Sequence, residues 1–308
     1  KIMYKNCPIV IPAYEPDEGL IKLLKSFEKL EQFRIVIVND GSGKEYDGVF
    51  DQARAIIEPY GGVVLTHEVN KGKGRALKTA FKYILDTMPD AIGVVTADSD
   101  GQHTVQCIVS IVDKLREDTS KFVLGVRCFD GEDIPWKSVF GNKLTMKVLK
   151  YASGLTLSDT QTGLRGINRE FMGKLLDVRG ERFEFETEML LARSGLYPIV
   201  EVPIATIYDS KDNHKTHFNP IKDSIKIYKV LGRQFIGYLV SSVLSCVIDL
   251  VVFAICCRLL SGVGEYIVVS TIIARVISAT FNFAVNYKKV FGSNDSVPKT
   301  ALKYACLA

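Results

Sequence analysis

In Val94-Val95-Thr96-Ala97-Asp98-Ser99-Asp100-Gly101-Gln102-His103 an apolar, β-branched run ends on two carboxylates spaced i and i+2. Such a run reads as a strand buried on both faces, and so as part of a parallel sheet. Alternation along an extended backbone puts Asp98 and Asp100 on the same side. In open α/β sheets ligands gather outside the carboxyl ends of the strands. Two carboxylates delivered there suit a hard divalent cation, Mg²⁺ or Mn²⁺, shared with the phosphates of a substrate, and Gln102 offers one more oxygen. A D-x-D pair alone is common in polar turns. The buried strand before this one makes Asp98, Asp100 and Gln102 a candidate metal site, while His103 reads as structural.

The same texture recurs along the chain. Pro8–Ile11, Ile35–Val38, Val63–Thr66, Ile92–Thr96 and Phe122–Val126 are continuous apolar runs. Amphipathic stretches lie between them: one opened by Pro16 and Asp17 with Leu20, Leu23, Leu24 and Phe27 on one face, then Lys71–Asp86 and Thr104–Glu117. This alternation predicts an α/β fold class, a Rossmann-like, mostly parallel sheet with crossover helices. The residues just after each run then become the ones that face a ligand: Tyr14 and Glu15, Asn39 and Asp40, Asn70–Gly74, Asp98–His103 and Arg127.

Two of these strand ends carry further signals. In Ile35-Val36-Ile37-Val38-Asn39-Asp40-Gly41-Ser42-Gly43 a carboxylate again follows a buried strand. Asp40 can accept a hydrogen bond from a nucleobase or a ribose hydroxyl, and can equally cap the next helix. Asn70-Lys71-Gly72-Lys73-Gly74-Arg75-Ala76-Leu77 is a Gly-rich helix entry whose amides and Lys73 suit a phosphate, although its spacing is not that of a Walker A loop.

Composition bounds the reading. The chain has 308 residues, 47% hydrophobic and 24% charged, which excludes disorder, low complexity and a disulfide-stapled miniature. A net charge of +4 spread over this length argues against nucleic acid as a partner. The seven cysteines show no C-x-x-C spacing, so neither a zinc site nor a disulfide framework is indicated, and reduced thiols fit best. Mean hydropathy is nevertheless positive, at +0.13. The apolar excess lies at the back, where only Asp249, Arg258, Glu265 and Arg275 are charged between Phe235 and Asn286.

That back half is organised. Lys222, Lys226, Lys229 and Arg233 recur at helical spacing beside a stripe of Ile221, Ile225 and Tyr228, the pattern of an interfacial helix on an anionic surface. Phe235–Cys257 would measure about 34 Å as a helix, enough for a hydrocarbon core of about 30 Å. Tyr266–Tyr287 is a second such run. Each holds one central ionisable residue, Asp249 and Arg275, opposite in sign and so expected to meet. Basic residues flank the outer ends of both runs and the connecting loop holds only Arg258, which puts both ends of the hairpin in the cytosol. Lys299 and Lys303 followed by Tyr304–Ala308 read as the start of a third span in a chain cut short at its back. The expected division is therefore 1–210 for a catalytic domain, 211–234 for a linker and interfacial helix, and 235–308 for a membrane module.

The three strand-end motifs, in their order and intervals, resemble the family-2 glycosyltransferases of the GT-A fold over roughly residues 7–205. Ile11-Pro12-Ala13-Tyr14 with Glu15, the Asn39–Ser42 turn, Lys71–Ala76 and Asp98–His103 are similar to the successive nucleotide-sugar motifs of the polyprenyl-phosphate branch, to which dolichyl-phosphate mannose and glucose synthases belong. Gly125-Val126-Arg127, Asp159–Arg165 and Arg182–Glu188 are similar to its later motifs, the second to glucosyl-type enzymes. Residues 233–308 resemble the start of a GtrA-like membrane module. Two departures stand out: Asn39 replaces a usual acidic residue, and Glu15 precedes Pro16 where Asn-Glu is more usual.

The resemblance implies an inverting transfer of a hexose from a nucleotide sugar, of the UDP-glucose type and UDP rather than GDP, to polyprenyl phosphate at the cytoplasmic face of the cell membrane. It places Pro12, Tyr14, Glu15, Asp40, Lys73 and Asp98 around the donor, and Asp98, Asp100 and Gln102 around Mg²⁺ or Mn²⁺. An acceptor phosphomonoester, with a second pKa of about 6, is already ionised near neutrality and needs no strong base. It needs a cationic clamp, for which Arg127 and Arg165 are the candidates. Asp159 either orients the acceptor, acts as a base or is structural. Lys222, Lys226, Lys229 and Arg233 would meet the bilayer, and a homo-oligomer is open. Rival readings lose particular residues. A processive synthase would carry Q-x-x-R-W, whereas the one tryptophan is Trp136 in Ile134-Pro135-Trp136-Lys137. A non-catalytic lipid-binding or flipping protein with a degenerate transferase domain has no need of an intact Asp98, Asp100 and Gln102. A family-2 transferase acting on another acceptor would share them.

Overall fold

Each of the five apolar runs becomes a strand within two residues of its expected bounds in the computed structural model, which describes residues 4–127, 145–147, 149–150, 155–192, 196–205, 222–262 and 264–287. They are β1 (Ile9–Ala13), β2 (Ile35–Asn39), β3 (Val63–Thr66), β4 (Gly93–Thr96) and β5 (Phe122–Arg127). Two short strands join them, β6 (Arg165–Asn168) and β7 (Ile199–Ile204). Sheet order is β3-β2-β1-β4-β6-β5-β7, and among these strands only β6 runs antiparallel to its neighbours. The α/β class with a mostly parallel sheet is thus the fold of this chain.

Helices α1 (Glu18–Lys25), α2 (Asp47–Ile57), α3 (Lys73–Thr87), α4 (Val105–Glu117), α5 (Arg169–Leu175) and α6 (Glu184–Ala192) cover the sheet. Asp17, Thr104 and Asn168 start α1, α4 and α5 by accepting from the backbone N–H of Gly19, Cys107 and Phe171. The strands feed both faces at once. Ile9, Ile11, Ile35 and Ile37 pack with Leu20, Leu24, Phe50, Ile108 and Ile111 from α1, α2 and α4. Successive side chains of a strand alternate, so Val10, Val36 and Val38 turn the other way, toward the buried Ala76, Ala80 and Phe81 of α3.

The topology also opens a cleft. The chain builds β1, β2 and β3 outward, then crosses back to set β4 on the opposite side of β1, which makes β1/β4 the topological switch point. Odd-numbered residues of β1 bond to β2: Ile9 N donates to Arg34 O and Asp40 N to Ala13 O, both at 2.9 Å. Even-numbered ones bond to β4, as where Ala97 N donates to Val10 O at 2.9 Å. Pro12 is the next even position and has no N–H to give. The β1–β4 register accordingly ends at Val10↔Thr96, while β1–β2 runs on to Ala13↔Asn39.

The chain divides into two compact units, the first Lys1–Arg193 with Tyr197–Tyr228 and the second Ser194–Leu196 with Lys229–Ala308. Helix α7 (Lys222–Leu259) is one uninterrupted helix of 38 residues, where the sequence suggests an interfacial helix and a separate span. No proline falls within Lys222–Leu259 to separate them. Helix α8 (Tyr266–Val285) follows. Both are long and apolar enough to cross a bilayer, over Ile236–Leu259 and Tyr266–Val285. Their outer faces expose Ile236, Leu239, Val243, Leu250, Ile272 and Val276, an apolar surface that water would not favour. The expected third span, residues 299–308, lies outside the described residues, as do the flanking Lys288 and Lys289.

Within the second unit the two helices meet along polar and small side chains. Ser241 and Ser245 on α7 are buried and bond to Asn286 Oδ1 and Ser278 O, each at 2.7 Å. Asp249 accepts from Ser278 Oγ at 2.9 Å and lies 3.7 Å from Arg275, so the two opposed charges do face one another. Ser241, Ser245 and Asp249 share one face of α7, and Ser270, Ala274 and Ser278 one face of α8, a seam that permits close approach in an apolar solvent. Single Asp249→Leu and Arg275→Leu substitutions should each destabilise this unit. The double variant should recover about 0.5–1.5 kcal/mol in a thermodynamic cycle; strictly additive losses would mean that the charges act separately.

Candidate functional site

Asp98 lies two residues past the end of β4, beside the opening between β1 and β4, and Asp100 lies in the turn beyond it. Lys73, the first residue of α3, extends its ammonium to 2.7 Å from Asp98 Oδ1 and 2.9 Å from Glu186 Oε1 on α6. Burial would lower the Lys73 ammonium, but the charges of Asp98 and Glu186 outweigh it and hold it above the ordinary lysine range. Burial likewise works to raise Asp98, yet the Lys73 charge and His103 keep its carboxyl well below the usual carboxylate range. Asp100 goes the other way, raised by burial and by the charge of Asp98. Its Oδ1 accepts from the Gln102 backbone N–H at 3.0 Å. His103 is buried, with Nε2 3.6 Å from Asp98 Oδ2, too long for a hydrogen bond.

A second loop fixes the Asp98 carboxylate from behind. Thr96 Oγ1 donates to Gly163 O at 2.7 Å, and a Cβ on Gly163 would collide with both oxygens of Asp98. Gly163→Ala should therefore displace Asp98 and weaken nucleotide-sugar binding at least about tenfold with little loss of fold, as read by donor titration and thermal unfolding. Unaltered donor affinity would contradict the placement of Asp98 in the site.

The donor candidates sort into two groups. Tyr14 and Glu15 lie at the mouth of the cleft, half-buried. A hydrogen bond to Glu15 raises the Tyr14 phenol, and the Glu15 backbone is restrained by its N–H, which donates to Ser42 Oγ at 2.9 Å. Glu15 takes φ +47 although it precedes a proline, a strained backbone of the sort concentrated at functional sites. Pro12 and Asp40 lie deeper. Pro12 is buried within β1. Asp40 is 2% exposed and both oxygens are taken: Oδ1 by His67 Nδ1 at 2.7 Å and Lys71 N at 2.9 Å, Oδ2 by Gly72 N at 2.7 Å. It ties down the loop that leads into Lys73. Asn39, the unusual residue, accepts from Ser42 N at 2.9 Å and shapes the turn.

The two arginines also separate. Arg127, at the end of β5, is locked to Asp159 by Nε at 2.7 Å and Nη2 at 3.0 Å. Asp159 is fully buried and accepts from Gln161 N at 3.0 Å as well, so it orients the arginine and is not exposed as a base. Arg165 is 1% exposed, within β6. Its guanidinium donates to Thr162 O at 2.9 Å, Glu186 O at 2.7 Å and Thr160 O at 3.5 Å. It staples the 160–165 loop to α6 and does not reach the cleft as a phosphate clamp. Sequence reasoning misses this because a strand position does not say that a long side chain is buried together with its charge. It also leaves Glu186 without a role, although Arg182–Glu188 is a recognisable stretch, and does not single out His67, which links Asp40 to Thr79 Oγ1 at 2.9 Å.

The residues fit a hard divalent cation. Among the described residues no three His, Cys, Asp or Glu side chains cluster as a self-sufficient metal cage. Two carboxylates at the strand end, one with its carboxyl raised by burial and by the charge of the other, match instead the ion bound by one or two carboxylates and completed by substrate phosphates. Of the basic stripe, Lys226 is half-buried and Lys229 exposed, while the side chains of Lys222 and Arg233 lie outside what the structure describes.

Against known proteins, the model of the family described as glycosyl transferase family 2 matches residues 9–176. An uncharacterised protein of Methanocaldococcus jannaschii is 30% identical over 205 residues, covering 65% of this chain and 81% of its own. A UDP-N-acetylglucosamine–dolichyl-phosphate N-acetylglucosaminyltransferase of Methanococcus voltae is 26% identical over 215 residues, covering 65% and 85%. A dolichyl-phosphate hexose transferase of Haloferax volcanii is 26% identical over 202 residues, covering 65% and 82%.

Proposed function

This chain belongs to glycosyl transferase family 2, and from that premise we propose that it moves a hexose from a nucleoside-diphosphate sugar to polyprenyl phosphate at the cytoplasmic face of a membrane. The observation that carries the reading is the meeting of Asp98, Asp100 and Lys73 at the mouth of the β1/β4 switch point. Two further facts support the acceptor: relatives named for dolichyl-phosphate transfer, and two helices of membrane-spanning length and composition. The domain up to about residue 210 would be catalytic, and residues 235–308 a GtrA-like membrane module. A UDP-sugar is the favoured donor.

Asp98, Asp100 and Gln102 would hold Mg²⁺ or Mn²⁺, which when bound neutralises the charge that develops on the departing diphosphate. Lys73 adds a cation on the same side. Tyr14 and Glu15 border the donor at the cleft mouth. An oxygen of the acceptor phosphate attacks C1 of the hexose, the bond from C1 to the donor diphosphate breaks, and its electron pair leaves with the nucleoside diphosphate. A single in-line displacement inverts the anomeric centre. Arg127, oriented by Asp159, would be the cation that meets the acceptor phosphate.

Incubation of the full chain with UDP-sugars, GDP-mannose and a short polyprenyl phosphate in Mn²⁺ tests this directly. The expected product is a lipid-linked hexose with inverted anomeric configuration, read by NMR. A retained configuration would overturn the mechanism. Donor binding without transfer to any lipid phosphate would favour a family-2 transferase with another acceptor, and neither binding nor transfer would favour a degenerate domain.

A further inference from the structure

The position of Lys73 is fixed from several sides. Gly72, at φ +99, and Gly74 leave no room for a Cβ against Glu181, Arg182 and Phe185. Arg75 N donates to Glu181 O at 2.9 Å, and Arg75 Nη2 to Glu181 Oε1 at 2.8 Å. The buried Lys78 donates to Gly180 O at 3.0 Å and sits 4.9 Å over the Phe185 ring. These contacts clamp the Gly180–Glu186 stretch onto the start of α3 and so carry Glu186 to Lys73. The result is one ammonium, 18% exposed, between two carboxylates, one of which is a candidate metal ligand.

A cation bound to Asp98 Oδ1 stands where a metal ion would need to bind. We propose that Lys73 is a resident counter-cation: it holds Asp98 in place before the metal arrives, competes with the metal for that carboxylate, and passes to the donor diphosphate when both arrive, with Glu186 as its anchor throughout. The inference rests on the metal-assisted reading above and adds a thermodynamic consequence. Metal alone must displace Lys73 without giving it a new partner, whereas metal with a nucleoside diphosphate supplies one. Each ligand should therefore tighten the other through Lys73, beyond the affinity that Mn²⁺ and a diphosphate have for one another in solution.

Mn²⁺ binding to the full chain in detergent, read by electron paramagnetic resonance with and without UDP or GDP, tests this without any turnover. Lys73→Gln should bind Mn²⁺ alone about tenfold more tightly than the wild type and should lose about tenfold of the tightening that the nucleotide confers. Lys73→Arg, which keeps the charge, should stay close to the wild type, and thermal unfolding of both variants reports whether they fold. Mn²⁺ binding that Asp98→Asn abolishes but Lys73→Gln leaves unchanged or weakens would overturn the counter-cation role and leave the metal reading standing. Absence of Mn²⁺ binding even with nucleotide would overturn both. Tighter binding in a folded Lys73→Gln, with reduced coupling, supports the exchange.

Discussion

Asp98→Ala should lower sugar transfer by about 100- to 1,000-fold, the scale of loss when one preorganised electrostatic contact at a reacting centre is removed. Asp100→Ala should behave similarly, because one remaining carboxylate cannot hold ion and diphosphate in the same geometry. Folding should survive in both. Lys73 keeps Glu186 at 2.9 Å when Asp98 is gone, and Asp100 makes a local bond, to Gln102 N. Activity in wild type should vanish with a chelator and return with Mn²⁺ or Mg²⁺. The pH dependence has a definite sign. Asp100 is raised and Asp98 depressed, so as pH falls Asp100 takes up a proton first and metal-dependent donor binding declines, while the Asp98–Lys73 pair persists until the pH passes through the lowered Asp98 value. Either alanine variant turning over at near-wild-type rate in limiting metal would remove the metal site from this reading.

Arg165→Ala should unfold the first unit more readily, by about 3–5 kcal/mol, as expected when a buried charge that satisfies several partners is deleted. The carbonyls of Thr160, Thr162 and Glu186 would lose their donor together. Arg165→Lys should restore little of the loss, since a single ammonium cannot span carbonyls arranged around a planar fork. Denaturant titration in detergent measures the loss. Transfer should fall only with the folded fraction, and faster at higher temperature. If Arg165→Ala kept the wild-type unfolding midpoint and still lost transfer, the guanidinium would have to touch the reacting phosphate after all. Arg127→Ala makes the contrasting case: with 16% of its side chain exposed at the end of β5, it should cost transfer more than stability.

The division between sequence and tertiary structure follows from how far each residue's partners lie along the chain. Local pattern alone determined the five parallel strands, because continuous apolar runs of four to six residues bounded by turns have few other ways to be buried. It also put the Asp98–Asp100 pair at the carboxyl end of a buried strand, whereas the cleft beside it needed the sheet order: only the packed sheet turns Pro12 toward β4, where its missing N–H ends that ladder. The opposed charges Asp249 and Arg275 could be matched for the same reason: an apolar solvent leaves them little alternative. What only the folded molecule decided is where long charged side chains end. Lys73 reaches Glu186, Arg127 reaches Asp159, and Arg165 turns inward to backbone carbonyls. Asp40, which sequence leaves open between a nucleoside contact and a capping role, has its oxygens engaged by His67 and two loop amides. A strand end specifies the Cα of such a residue, but four or more rotatable bonds separate a lysine or arginine charge from that Cα, and its destination is set by carboxylates and carbonyls that packing brings in from distant segments.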